Sequence, residues 1–361
     1  MPMQKALITA GGRATRLRPI SHTLNKHLIP LANKPMLFYV IEKVVDAGIR
    51  DIAINVNPGE EELQRFVGDG SRWGARIRYI EQEGGPQGLA HIIRNAEPTL
   101  GREPFLFVLG DNLILGDLRS LIEKFERESL DMCLAFVRVR EPQRFGVGEF
   151  RDGRLVRVLE KPSDPPSDLA QTGIYLYSPA IFDAVAAIPR SSRGEFEISD
   201  ANTHLIEQGR RVGWVEFTGW WKDTGKPEDL LEGNQLILAT HAFDGGRHDA
   251  TIEDGAIIQG KVQIGAGTRI GSHVLIRGPV VIGERCTIAD AYIGPYTSIG
   301  NDVRITNTEI EHSIVFDHAS IDVHGRIVDS IIGHHAAVAS ANSKLPYGRK
   351  LVVGDHTIVE M

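Results

Sequence analysis

Ile264-Gly265-Ala266-Gly267-Thr268-Arg269-Ile270-Gly271-Ser272-His273-Val274-Leu275-Ile276 places an isoleucine at every sixth residue, with glycine behind the first two of them. The same spacing extends outward to Ile252, Ile258, Ile282 and Ile288, with Gly283 after Ile282. After a one-residue slip it resumes at Ile293, Ile299 and Ile305, and it loosens through Ile321, Ile327 and Ile332. Helices repeat near 3.6 residues and alternating strands near 2, so neither sustains a period of six. A parallel β-helix built of hexapeptide turns does, because each inward aliphatic stacks on its equivalent in the next coil. Residues 251–361 are therefore expected to form a hexapeptide-repeat β-helix domain.

Upstream the periodicity is different. Ala6-Leu7-Ile8-Thr9, Ile52-Ala53-Ile54-Asn55-Val56, Phe105-Leu106-Phe107-Val108-Leu109 and Ile174-Tyr175-Leu176-Tyr177 read as strands, separated by helical patterns such as Met36 to Ala47 and Leu89 to Ala96. Alternation of this kind predicts an α/β domain over residues 1–240, with a mostly parallel sheet covered by helices. Ligands of such sheets bind beyond the carboxyl ends of the strands. A turn-rich linker, marked by Asp244-Gly245-Gly246, is expected at 241–250. The length of 361 residues is itself what two separate cores would need.

Charge and cysteine content narrow the function classes. A formal charge of −7 argues against a general nucleic-acid binder, which draws affinity from clustered cations. Cys133 and Cys286 lie far apart without ligand-type spacing, so neither a disulfide framework nor a zinc site is indicated, and a reducing cytoplasm is expected. Nowhere are there eighteen consecutive apolar residues, so no membrane span is expected.

Within this acidic chain one stretch is basic. Gly11-Gly12-Arg13-Ala14-Thr15-Arg16-Leu17-Arg18-Pro19 follows the first strand, Lys26 and Asn33-Lys34-Pro35-Met36 come next, and no Asp or Glu precedes Glu42. Paired glycines let backbone amides approach an anion, and the cations neutralise it, so this loop is expected to bind phosphate. Two further features sit where a parallel sheet would present them: Gly110-Asp111-Asn112 after the strand run 105–109, and Trp220-Trp221-Lys222-Asp223-Thr224-Gly225 far downstream.

These segments together resemble the signature of the sugar nucleotidylyltransferases: Gly-Gly-x-Gly-Thr-Arg-Leu, then Pro, Lys and Lys-Pro-Met, with Ala14 standing where that family usually has glycine. An alanine there is tolerable if it keeps a negative φ. The resemblance implies a Rossmann-like mostly parallel sheet followed by a left-handed parallel β-helix. It also implies a Mg²⁺-dependent joining of a nucleoside triphosphate to a sugar 1-phosphate. Carried over residue by residue, Gly11, Gly12, Arg13, Ala14, Thr15 and Asp111 would hold the nucleotide, and Asp111 and Asp223 the Mg²⁺. Arg16, Lys26 and Lys161 would be the catalytic cations. Gln82-Glu83-Gly84-Gly85-Pro86-Gln87-Gly88-Leu89 resembles the family's base-reading loop, with Gln82 and Gly88 on a pyrimidine edge. Leu159-Glu160-Lys161-Pro162 and Gln171-Thr172-Gly173 resemble the sugar-phosphate segments, so Glu160, Lys161, Thr172 and Gly173 would bind that substrate. Gly146 belongs to a further sugar segment, in which Phe145 replaces the tyrosine of many relatives. Arg193-Gly194-Glu195-Phe196-Glu197-Ile198 resembles the edge of the same pocket, although Glu197 reads equally well as a solvated helix residue.

A sugar 1-phosphate is already an adequate nucleophile, so positioning and charge neutralisation suffice and none of the 13 histidines needs a catalytic role. Among relatives, the pairing of this half with a short hexapeptide β-helix most resembles the long form of glucose-1-phosphate thymidylyltransferases. Those enzymes use dTTP and glucose 1-phosphate, and a homo-oligomer is expected. UTP is the nearest rival nucleotide. An acetyltransferase activity of the β-helix, drawing on His312, His318, His334 or His335, is a second alternative. A non-catalytic regulatory protein of the same architecture is a third, and the intact Arg16, Lys26, Asp111 and Asp223 speak against it.

Overall fold

The computed structural model describes residues 3–12, 14–240, 246 and 249–340. The chain forms two compact units: residues 1–13 with 36–223, and residues 14–35 with 224–361.

In the first unit, four adjacent parallel strands make up one side of a nine-stranded sheet. They lie in the order Phe105–Leu109, Lys5–Thr9, Asp51–Val56 and Arg76–Glu81. The antiparallel strand Leu169–Tyr177 continues the sheet beside Phe105–Leu109, and the hairpin Gly146–Arg151/Arg154–Glu160 lies beyond it. The central runs are apolar throughout because helices cover both faces, and residues such as Leu7, Ile8, Ile52, Ile54 and Phe107 are fully buried. Met36–Asp46 turns one apolar stripe inward and ends before Gly48 at φ 96°. The helix expected from Leu89 to Ala96 runs Leu89–Leu100, past Pro98. In the last turn a proline removes only one backbone hydrogen bond, and Gly101 then caps the helix.

Register gathers the expected site at one edge of this sheet. Thr9 is level with Leu109 and with Asn55, and Val56 with Glu81. The segments that begin at Ala10, Gly110, Asn57 and Gln82 therefore leave the sheet at its carboxyl edge. Leu169–Tyr177 runs the other way, with Ile174 opposite Val108, so Gly173 and the residues before it reach the same edge.

In the second unit the β-helix is regular. Ile252 pairs with Ile270, Ile258 with Ile276 and Ile264 with Ile282, each 18 residues on, or three hexapeptides per coil. The slip after Ile288 shortens the coil to 17 residues, as in Ile276↔Ile293 and Ile282↔Ile299. All these pairings are parallel, and the stacked isoleucines form their own core.

The change of periodicity suggested a boundary at 241–250, most of which lies outside the described residues, but compactness groups the chain differently. Helix Pro227–Thr240 and residues 14–35 fold with the β-helix. The physical reason is a buried amide. Asn234, 1% exposed, accepts from Ala32 N (2.8 Å) and Ser298 Oγ (3.0 Å) and donates to Tyr296 O (3.0 Å). Asn33 Nδ2 donates to Ile299 O at 2.6 Å. These clamps hold Ala32 (φ 46°) and Asn33 (φ 63°) in the left-handed turn that joins Pro30–Leu31 to Lys34–Pro35. Asn234→Ala strands several buried polar groups at once and is expected to cost about 2–3 kcal/mol, read as a lowered urea midpoint at unchanged slope.

Both cysteines are buried and unpaired with each other, and burial pushes the Cys133 thiol up to about 12 and that of Cys286 upward too. Among the described residues no helix is long and apolar enough to cross a membrane.

Candidate active site

The glycine loop is pinned from the neighbouring strand. Gly12 N donates to Asn57 Oδ1 at 2.9 Å, and Asn57 Nδ2 donates to Glu60 Oε2 at 2.9 Å. Gly12 has φ 112°, open to glycine alone, and a Cβ on Gly11 would come 3.1 Å from Asn57 Oδ1. Asn57 escaped the sequence reading, since Asn-Pro-Gly after a strand reads as a plain turn. Arg13 lies outside the described residues. Ala14 departs from the expectation of a negative φ: it is left-handed at φ 44°. Its carbonyl, which accepts from Ser21 Oγ at 2.7 Å and Leu17 N at 3.0 Å, holds it there against a cost of about 1–2 kcal/mol. Thr15 and Arg16 stand on the short turn Thr15–Leu17, and Lys26 opens the turn Lys26–Leu28, all in the second unit.

The two expected metal carboxylates are brought to adjacent backbone positions. Gly110 N donates to both Thr9 O (3.0 Å) and Thr9 Oγ1 (3.1 Å), which fixes the turn carrying Asp111. The chain then re-enters as the strand Asn112–Leu115, pairing antiparallel with Trp220–Asp223 so that Asp223 stands opposite Asn112. Opposed residues in such a ladder lie about 4.5–5.5 Å apart at Cα. Asp223 and Asp111 thus start within one residue of register. Among the described residues no group of three or more His, Cys, Asp or Glu forms a metal cage. Two carboxylates completed by water and substrate phosphate are a donor set that suits Mg²⁺.

Thr172 ties this two-stranded ladder to the main sheet. Its carbonyl accepts from Asn112 Nδ2 and from Trp221 Nε1, both at 2.5 Å, while its own hydroxyl donates to Ala135 O at 3.0 Å. Thr172 is fully buried, so its hydroxyl serves the scaffold. Gly173 beside it has φ 77°. Phe145, in place of tyrosine, meets the Trp221 ring edge-on at 5.7 Å.

In the base-loop segment Gln82 is 3% exposed, with Nε2 3.3 Å from His91 Nδ1. Burial first, then Arg94 and Arg190, hold the His91 imidazole below its usual range. A neutral ring can accept from the Gln82 amide, which orients it. His91 was missed because a histidine on a buried helix face carries no distinctive spacing. Gly88 (φ 99°) leaves room for Phe196, whose carbonyl would be 2.5 Å from an added Cβ and accepts from Ala90 N at 3.1 Å. Gln87 O accepts from Phe196 N at 2.8 Å, so this loop and residues 195–197 form one surface.

That surface continues into the sugar segments. Gly146 pairs with Glu160 across the strand ladder. Glu160 Oε2 accepts from Ser199 Oγ at 2.8 Å, while Oε1 lies 3.2 Å from Arg193 Nη1 and 3.4 Å from Lys161 Nζ. Lys161 adopts φ 43°, and its N–H donates to Phe145 O at 2.9 Å. Glu197 is not a solvated helix residue: it is buried, accepts from Ser191 Oγ at 2.8 Å and pairs with Arg193 at 3.3 Å. Desolvation raises the carboxyl pKa of Glu197, and that of Asp200 for the same leading reason.

A glycine loop, paired strand-end carboxylates and a carboxylate–cation cluster on one sheet edge define an α/β protein that handles phosphorylated substrates. The comparisons with known proteins are more specific. Residues 5–240 match the model of the nucleotidyl transferase family, and residues 276–360 match a GMPPB C-terminal domain. The chain belongs to the nucleotidyl transferase family. It is 43% identical to a glucose-1-phosphate thymidylyltransferase of Streptomyces griseus, over 98% of each chain. It is 41% identical to the low-salt glycan biosynthesis nucleotidyltransferase Agl11 of Haloferax volcanii, over 99% of this chain and 100% of that one. Among solved structures, a Bacillus anthracis protein assigned as a glucose-1-phosphate thymidylyltransferase, in complex with a sucrose, superposes with a TM-score of 0.62. It is 32% identical, over 67% of this chain and 97% of that one.

Proposed function

We infer that this protein transfers a thymidylyl group from dTTP to glucose 1-phosphate, giving dTDP-glucose and pyrophosphate. The observation that carries this reading is the ladder placing Asp223 opposite Asn112, and so beside Asp111, at the edge where the glycine loop also emerges. A phosphate oxygen of the sugar 1-phosphate attacks the α-phosphorus of dTTP. One P–O bond forms there, the bond to the β-phosphate bridging oxygen breaks, and pyrophosphate leaves. Asp111 and Asp223 would hold Mg²⁺, which when bound neutralises charge on the phosphate oxygens. Gly11 offers its backbone amide to the triphosphate, and Gly12, whose own amide is held by Asn57, lets the chain approach it closely. In the family pattern Arg16 steadies the departing pyrophosphate, and Lys26 and Lys161 offset repulsion between the two anions. Glu160 accepts from sugar hydroxyls, and Gln82 with the Gly88 backbone reads the pyrimidine. Thymine and uracil share the edge read there and differ by a methyl, worth about 1–3 kcal/mol, so UTP is the natural second substrate. Buried free cysteines suit a reducing cytoplasm, and assembly as a homo-oligomer follows the family resemblance.

The test is pyrophosphate release over a grid of nucleoside triphosphates and sugar 1-phosphates with Mg²⁺. The highest kcat/KM is expected for dTTP with glucose 1-phosphate, and UTP should also be used. ATP and GTP should be poor, because a purine leaves the buried polar groups of the base loop unpaired. Gln82→Ala should raise the KM for dTTP and narrow this preference, with little effect on kcat. An ATP value at or above that for dTTP would overturn the assignment.

A further inference from the structure

Gln171 is 6% exposed, and its Nε2 has no hydrogen-bond partner among the described residues. Its other end is scarcely better served. Oε1 lies 3.4 Å from Ser199 Oγ, but that hydroxyl has one proton and lies 2.8 Å from the Glu160 carboxylate, the shorter and charge-assisted contact. The amide is held by shape instead. Its backbone is paired with Phe136, the last regular pair before the strand breaks register with Met132–Arg138 between Gln171 and Tyr175. Gly146 opposite leaves out a Cβ that would sit 2.5 Å from Gln171 Oε1 and 2.8 Å from Ser199 Oγ. A buried amide donor without an acceptor is costly, and such groups in native proteins call for a specific explanation. Here the neighbours are Glu160, Ser199 and Gly146, in the segments read as the sugar site.

We propose that Gln171 is a specificity-determining residue of the sugar subsite, its side-chain amide donating to the oxygen of one hexose hydroxyl. The proposal rests on the reading of the Glu160 cluster as that subsite. The Glu160 carboxylate accepts from a sugar hydroxyl, and the Gln171 N–H adds beside it an uncharged donor for a hydroxyl oxygen. The terminal torsion of a glutamine is broad, so the amide turns toward the sugar without backbone movement. A sugar lacking that hydroxyl leaves the donor buried and unpaired, which is what makes the contact selective.

The experiment compares wild type with Gln171→Leu and with the unbranched Gln171→Met. For each, thermal midpoints and kcat/KM are measured with glucose 1-phosphate and with its 2-, 3-, 4- and 6-deoxy analogues. Both variants should melt at or above the wild-type temperature, since the unpaired donor is gone. The KM for glucose 1-phosphate should rise on the order of 10- to 100-fold, while that for dTTP stays within a few-fold. Wild type should discriminate against one deoxy analogue in particular, and that discrimination alone should vanish in the variants. A lowered midpoint with unchanged sugar selectivity, or an equal loss across all analogues, overturns the proposal and makes Gln171 a structural residue. If wild type turns over no glucose 1-phosphate, the functional reading falls first and this proposal with it.

Discussion

Asp111→Asn and Asp223→Asn each reduce turnover on the order of 10²- to 10³-fold, the size usual for removing one preorganised charge-stabilising group from a site. Both substitutions keep shape and hydrogen-bonding capacity while deleting one negative charge. The scaffold around them has contacts of its own. Gly110 is held by Thr9, and Asn112 and Trp221 converge on the carbonyl of Thr172. Circular dichroism and the unfolding midpoint should therefore stay near wild type. With the carboxylate pair broken, more Mg²⁺ should be needed for half-maximal rate, and excess chelator should abolish wild-type turnover. Full activity in chelator, or in either variant, would sink the assignment of the two carboxylates.

Gly173→Ala damages the same site by sterics. At φ 77° a side chain is strained by about 1–2 kcal/mol wherever it sits. Here the new methyl would also lie 2.2 Å from Asn112 Nδ2 and 2.8 Å from the Leu109 side chain. Asn112 is 1% exposed, and its Nδ2 is engaged with Thr172 O, so it cannot swing away without stranding a buried donor. Overpacking of this kind costs about 1–3 kcal/mol more. The expected outcome is a protein less stable by about 2–5 kcal/mol, with kcat/KM lowered on the order of 10²-fold by displacement of the Asp111 turn. Urea denaturation together with kinetics checks both halves. A variant as stable and as active as wild type would show that the Thr172–Asn112 junction does not position the carboxylates.

Chain order alone made the two architectures readable. The period of six in Ile252 to Ile288 specifies stacked coils, and even the slip before Ile293 reappears as the change from 18 to 17 residues per coil. Strand runs of continuous apolar residues specify a sheet covered on both faces, and motifs such as Gly11-Gly12 and Gly110-Asp111 sit at its carboxyl edge because local patterning already fixes where strands stop. What such patterns cannot encode is which polar side chain meets which group once the elements are assembled. Asn57 on Gly12, His91 on Gln82, Ser199 on Glu160 and the convergence of Asn112 and Trp221 on Thr172 each depend on strand order and register. The same holds for Asn234, which joins residues 14–35 and the last helix to the β-helix across a boundary that periodicity had drawn elsewhere. It holds too for the left-handed Ala14, whose φ is set by the contacts of its carbonyl. Periodicity reports the burial of apolar faces, which is local and additive along the chain, so the sequence by itself determined the folds and the edge where the chemistry lies. Hydrogen bonds are directional and join residues far apart in sequence, so only the tertiary structure decided how the site's side chains are held.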